Sequence, residues 1–175
     1  ARWREIRDEC LGLPDDVFAP WVQREMYGSG WSVYGLLAFG EPIAEALSRC
    51  PKTAAALRDI PHLTTAGFSR LAPGAHIQPH VGWVKTVYRA HLGLDVPEGC
   101  ALRVGDVTRP WREGGALIFD DTVEHEAWNK ATCARTVLLF DFARPGCEGA
   151  AGDVPPKEVR EFVRRRGGPG GSADH

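Results

Sequence analysis

Thr64-Thr65-Ala66-Gly67-Phe68-Ser69-Arg70-Leu71 runs into Ala72-Pro73-Gly74, and the chain resumes as Ala75-His76-Ile77-Gln78-Pro79-His80-Val81-Gly82-Trp83. A short β-rich run, broken at a Pro-Gly turn and restarted at once, is the pattern of strand, turn and strand. The pattern persists to about Ala143, punctuated by Pro97-Glu98-Gly99, Arg112-Glu113-Gly114-Gly115 and Asn129-Lys130. Many short strands at this spacing predict a sandwich or barrel rather than alternating βα units.

The flanks read differently. Residues 1–30 are expected to be irregular, with short helical pieces and a turn at Gly28-Ser29-Gly30. A strand is predicted over 31–39, carrying Trp31, Val33 and Tyr34. Ile43, Ala44 and Leu47 at helical spacing predict a helix over 41–50 that Pro51 stops, and a second short helix is expected over 53–59. Residues 156–166 predict a helix whose Arg164, Arg165 and Arg166 sit at its negative C-terminal end, read as a solvated helix end. A flexible tail is expected over 167–175. The organisation expected is thus one domain over 1–166, long enough at 175 residues in all for a real core.

Composition narrows the function classes. Hydrophobic residues are 43% and charged residues 25%, ordinary for a globular protein, and the net charge of −2 makes no electrostatic case for nucleic acid or an anionic membrane surface. No apolar run approaches the roughly 18 residues that span a bilayer, and the opening residues lack a signal peptide's apolar stretch. Five scattered cysteines without a Cys-x-x-Cys pair argue against a disulfide framework or thiolate zinc site, so a cytoplasmic setting is expected.

The candidate chemistry lies in the β-rich region. His80 and His125 each occupy a strand-like segment, the second being Ile118-Phe119-Asp120-Asp121-Thr122-Val123-Glu124-His125-Glu126-Ala127-Trp128. A shared metal ion is one reading of the pair; two hydrogen-bonded core histidines is the other. Side chains alternate faces along a strand, so Arg89 and His91 share a face, as do Arg135, Val137, Leu139 and Asp141. A hairpin turning near Lys130 would set residue 125 opposite 135, with Cβ atoms about 5 Å apart. An arginine fork there fits a carboxylate bidentately. Burying Arg89, Arg135 and His91 with no anion between them costs free energy, so with Ser69 they suggest a cage for a doubly charged ligand. For Arg135 the alternative is a pair with Asp141 or a surface position. His76 rivals His80 because the two share parity, yet it is read as peripheral, as is His62. Asp121 has the parity of Phe119, so its carboxylate either faces the site or caps a turn.

From Cys50-Pro51-Lys52-Thr53 through Pro145 the chain resembles the aspartyl/asparaginyl β-hydroxylase family of Fe(II)- and 2-oxoglutarate-dependent dioxygenases. The matching pieces are Ala72-Pro73-Gly74, Pro79-His80-Val81-Gly82, Arg89-Ala90-His91-Leu92-Gly93-Leu94, Trp111-Arg112-Glu113-Gly114, Phe119-Asp120-Asp121, Glu124-His125-Glu126-Ala127-Trp128 and Arg135. The resemblance implies a mainly β, cupin-like double-stranded β-helix (jelly roll) with flanking helices. It implies that His80 and His125 ligate Fe(II) and that Arg135 with Ser69 holds the distal carboxylate of 2-oxoglutarate. Arg89 and His91 would lie near the chelating end, and Asp121 would orient a metal-bound water. Many such oxygenases add a carboxylate ligand two residues after the first histidine. Here Gly82 stands there, as this family's members lack that ligand, and so do related radical halogenases. The implied activity is O2-dependent hydroxylation of an unactivated C–H bond in an amino acid or amino-acid residue, with a small-molecule, peptide or carrier-tethered substrate and a place in secondary metabolism. The alternatives are a halogenase and a non-catalytic jelly-roll module binding a dicarboxylate or metal. Gly67 and Val87 stand where members acting on peptidyl aspartate are expected to carry basic residues, leaving only Lys85 and Arg70 nearby.

Overall fold

The computed structural model describes residues 2–148 and 155–167. In chain order the elements are α1 (Arg2–Leu11), β1 (Ala19–Pro20), β2 (Trp31–Ala38), β3 (Glu41–Pro42), α2 (Ala44–Arg49), α3 (Pro51–Arg58), β4 (Leu63–Leu71), β5 (His76–His80), β6 (Val87–Asp95), β7 (Cys100–Val104), β8 (Val107–Pro110), β9 (Ala116–Phe119), β10 (His125–Asn129), β11 (Arg135–Ala143) and α4 (Lys157–Gly167). A seven-stranded sheet runs β1-β2-β4-β11-β6-β9, with β3 on β2, and a four-stranded sheet runs β5-β10-β7-β8. Every ladder is antiparallel. From β4 to β11 the chain changes sheet at each connection except the β7–β8 hairpin. That winding is a double-stranded β-helix, as the sequence implied.

The larger sheet is buried on both faces, and this shapes the strands at its centre. One face carries Ala66, Phe68, Leu94 and Leu138 against Ile6 and Cys10 of α1, Ala46 of α2 and Leu57 of α3. The other carries Leu71 and Val137 against Ile77, Leu102, Ala127 and Trp111 of the smaller sheet and its connections. Strands covered on two sides become nearly continuous apolar runs, as in Thr136-Val137-Leu138-Leu139-Phe140. Polar residues on the inner face are therefore departures that need a reason.

The helical layer differs from expectation in detail. One regular helix, α1, opens the chain where short pieces were expected, because Ile6 and Cys10 bury one stripe of it. Glu41-Pro42 pairs with the end of β2, so α2 starts only at Ala44. Pro51 does not merely stop α2 but opens α3 at its first turn, where a missing N–H costs nothing. The α3 amides of Lys52 and Thr53 donate to the Glu9 carboxylate at 2.6 and 2.7 Å, which ties α1 to the positive end of α3. The side chains of Arg164 and Arg166, and the expected tail beyond Gly167, lie outside the described residues. Among the described residues no helix is long and apolar enough to cross a membrane.

The hairpin expected near Lys130 does not form. β10 belongs to the smaller sheet and β11 to the larger, so His125 and Arg135 are not ladder partners. The cause is Asn129, which is 1% exposed at the corner. Its amide donates to the carbonyls of Leu71 and Cys133 at 2.9 and 2.8 Å, and its oxygen accepts from the Ala131 amide at 2.9 Å. Those bonds turn the chain across the sandwich instead of back along the same sheet.

Candidate active site

His80 and His125 face each other directly across the β5–β10 ladder. Their ring centroids are 4.2 Å apart. Each Nδ1 is within hydrogen-bonding distance of a carbonyl, Gln78 at 2.7 Å for His80 and Val123 at 2.9 Å for His125. With Nδ1–H donating, each ring keeps its proton there and its Nε2 lone pair remains unprotonated for another partner. Burial disfavours a charge on both rings. It lowers the His80 pKa and, with the neighbouring His80 charge, takes His125 down to about 4. Neutral imidazole is the metal-binding form.

Local sequence explains why His80 points inward while His76 does not. The pairing runs Trp128↔His76 and Ala127↔Ile77, then slips before His125↔His80. The slip places Gln78-Pro79 in a bulge, at a residue that cannot donate to a ladder. Strict alternation would have put both histidines on one face; the bulge separates them. His76 instead bonds Glu126 at 2.6 Å on the sheet's other face.

Gly82 and Asp121 form the next layer. A Cβ built on Gly82 would collide with the Asp121 carboxylate, and the Gly82 amide donates to the Asp121 carbonyl at 2.7 Å. A carboxylate carried on the loop before β10 thus takes the space a side chain at position 82 would need. Asp121 is 1% exposed, and burial raises its pKa against the pull of Arg89, 3.1 Å away. Among the described residues no group of three or more His, Cys, Asp or Glu side chains is placed to hold a metal ion. Metal binding at this site would rely on the two imidazoles, with other positions left to small ligands.

Deeper in the sandwich an aromatic path leads away from the histidines. Phe119 lies 5.3 Å from His125 and 5.2 Å from His91, ring centre to ring centre. His91 lies 6.0 Å from Trp111, and the Arg135 guanidinium sits 4.6 Å over the Trp111 ring. Arg135 is 1% exposed, and its Nη1 reaches only the Ser69 carbonyl at 3.5 Å. Burial lowers its pKa to about 10, with no carboxylate opposing the effect. The Ser69 hydroxyl accepts from the Trp31 indole at 3.0 Å, which leaves its own proton to donate.

Several groups here are buried without partners: both nitrogens of His91, Nε of Arg135, Nε1 of Trp111 and Oδ1 of Asp121. Such groups carry a desolvation cost unless something polar meets them. A guanidinium, an indole N–H and a hydroxyl lie near one another here, a set of donors suited to a carboxylate, on the side of Phe119 and His91 away from the paired imidazoles. The residues therefore fit a metal together with a small dianion.

Arg89 shares the inner face with His91 and lies beside the histidine end through Asp121 at 3.1 Å, with its fork taken by Asp141 at 2.8 and 2.8 Å. Burial opposes its charge, yet Asp141 and Asp121 outweigh that and raise its pKa. Arg89 is thus a neutralised strut, and Asp141 pairs with it rather than with Arg135. Arg70 points to the helix side, paired with Asp15 at 2.7 Å and lying 3.7 Å over the Phe18 ring. Trp111 and Trp31 escaped the sequence reading as site residues. Trp111 follows a strand end in Pro110-Trp111-Arg112, where no alternation assigns a face.

A cupin-type double-stranded β-helix with paired inward histidines at one end defines the class of protein. The solved structures of similar shape include a Pseudomonas putida prolyl-4-hydroxylase, at TM-score 0.55 and 19% identity over 82% of this chain and 86% of that one. Another is a Thermotoga maritima protein described as a predicted oxalate decarboxylase, at TM-score 0.50 and 11% identity over 73% of this chain and 93% of that one. Both are likenesses of fold. The chain belongs to the aspartyl/asparaginyl β-hydroxylase family, whose model matches residues 1–145. It is 48% identical over 118 residues to the ornithine lipid ester-linked acyl 2-hydroxylase of Rhizobium tropici, covering 66% of this chain. It is 36% identical over 152 residues to the human aspartyl/asparaginyl β-hydroxylase, covering 82% of this chain. The matches span 42% and 20% of those two relatives' lengths.

Proposed function

We propose that the protein is an Fe(II)- and 2-oxoglutarate-dependent hydroxylase of an unactivated C–H bond. The observation that carries this reading is the set of unpartnered buried groups, Arg135 foremost, aligned behind two imidazoles with free Nε2 atoms. His80 and His125 would hold Fe(II). Arg135, stacked on Trp111, and the Ser69 hydroxyl would take the distal carboxylate of 2-oxoglutarate, with His91 alongside. When bound, iron with 2-oxoglutarate supplies the oxidising chemistry in which O2 yields succinate, CO2 and a C–OH bond. The chain's own part is to orient and exclude. The sandwich walls keep water from the co-substrate, the Arg89–Asp141 pair neutralises charge at the site's end, and the carbonyls of Gln78 and Val123 fix both imidazole tautomers.

Hydroxylation is favoured over halogenation because the Asp121 carboxylate already fills the space beside Gly82 that a chloride would need. Product mass spectrometry with and without chloride tests this, and a chlorinated product would reverse it.

For the substrate, an amino-acid-derived molecule and an aliphatic acyl chain divide on charge. A substrate carboxylate needs a cation near the site. Val87 is 3% exposed, Arg70 is turned away, and any side chain at Gly67 would press on the Tyr34 carbonyl, 2.8 Å from its Cβ position. Lys85, the other basic residue nearby, is exposed at the surface. These observations, with the name of the 48% identical relative, favour the acyl chain. Succinate release screened across acyl lipids, free amino acids and peptides decides between them. Turnover with peptidyl aspartate and none with acyl chains would reverse the preference.

A further inference from the structure

Six large apolar side chains are exposed among the described residues, and three of them cluster. Val81, Val107 and Val123, at 60%, 51% and 42% exposure, sit on two loops and the first residue of β8, at the end of the smaller sheet that carries His80 and His125. Val81 directly follows His80. Val123 lies in the loop before β10, and its carbonyl is the partner of His125 Nδ1. Val107 begins β8 just past the Gly105-Asp106 turn, and its ladder partner Val104 is in turn paired with His125. The hairpin tip and the loop touch: the Gly105 amide donates to the Glu124 carbonyl at 2.9 Å, and a Cβ at Gly105 would lie 3.7 Å from Val123 Cγ1.

Single exposed aliphatics are ordinary. Three from separate segments at the histidine end of one sheet are not explained by the fold, since none of them fills its core. We propose that this valine rim is an interfacial docking surface that dips among the acyl chains of a lipid surface. An aliphatic chain could then slide toward the histidine pair without crossing water. The inference rests on the acyl-chain reading above and says how such a substrate is reached.

Size and charge commit the rim to lipid. Three partly exposed valines offer on the order of 200 Å² of apolar area, against about 800 Å² per partner in a standard protein interface. That suits shallow insertion and falls short of a dimer contact. The charged neighbours are of mixed sign: Asp106 and Glu124 beside the rim, Arg103 paired with Glu124 and Glu126, and Asp120 paired with Arg144. Lys85, in the loop that carries Val81, is exposed too. With charges of both signs beside the rim among the described residues, attachment is expected to be mainly apolar and only weakly dependent on salt.

The test is co-sedimentation with phosphatidylcholine vesicles at low and high salt, for the wild type, Val107→Asp and the triple V81S/V107S/V123S. All three positions are exposed, so folding is retained, as circular dichroism would verify. The wild type is expected to bind nearly equally at both salt levels, and the triple variant to bind about tenfold more weakly or worse. Equal binding by all proteins, or none by the wild type, overturns the proposal. So does a wild-type dimer that the variants dissolve, which would assign the rim to a second copy. Succinate release from a short-chain acyl substrate in free solution tests the substrate reading alone. Its absence beside intact, rim-dependent vesicle binding would refute that reading and leave the docking surface standing.

Discussion

Two hydrogen bonds from ring N–H groups to carbonyls decide what His80 and His125 can do, because each sets a tautomer and frees an Nε2. His125→Ala or His80→Ala is expected to abolish Fe(II)-dependent succinate formation, checked by single-turnover assay with an equilibrium dialysis of Fe(II). Full turnover in either variant would remove both imidazoles from the metal. Gly82 is constrained as tightly. Gly82→Ala puts a methyl against the Asp121 carboxylate, with an expected destabilisation of about 1–3 kcal/mol in a urea titration. Arg135 stood out in the sequence because it opens an apolar strand, and His125 because it and His80 occupy two strand-like segments, although each had an ordinary structural alternative. The partnership of Arg135 and His125 across a hairpin was misjudged, since the deciding group is one buried amide. Asn129→Ala leaves the Leu71 and Cys133 carbonyls without its donors, and we expect a loss of about 2–4 kcal/mol by chemical denaturation.

Strands and loops translate those residues into a site. The bulge at Gln78-Pro79 explains why parity failed to separate His76 from His80: alternation presumes an unbroken ladder, and proline broke it. Parity succeeded for Arg89 with His91, and for Arg135 with Asp141, where β11 pairs with β4 without a break. It could not reveal that Arg89 would claim Asp141, because that pairing joins neighbouring strands distant in sequence. The loop from β9 to β10 is braced by Asp120, which accepts from Arg144 and from the Thr122 amide and hydroxyl. Those bonds hold the Asp120 pKa down to about 2, below an unfolded value of about 3.9. A group depressed on folding stabilises above its unfolded pKa, so this contribution is present at neutral pH and is lost as pH falls from about 4 toward 2. Asp120→Asn should therefore flatten the stability–pH curve of the folded protein in that window. An unchanged curve would show that the brace contributes nothing.

Across the molecule, the helical layer explains why the inner face can tolerate so many polar groups. Helices α1, α2 and α3 cover the outer face of the larger sheet with apolar packing, while the inner face carries Arg135, His91, Ser69 and Asp141 among Leu71 and Val137. Family and fold class were legible in the order of short motifs from Pro73 to Arg135. The site's aromatic lining was not, since Trp31 and Trp111 reach it from an early strand and an irregular connection. On the proposed function, the imidazole pair and Arg135 serve one bound 2-oxoglutarate. The most direct test of this claim is an anaerobic calorimetric titration of the Fe(II)-loaded protein with 2-oxoglutarate, wild type against Arg135→Ala. A charge-assisted contact of about 1.5–3 kcal/mol predicts affinity weakened roughly ten- to more than a hundredfold in the variant, with Fe(II) binding retained. Identical titration curves for the two proteins would contradict it.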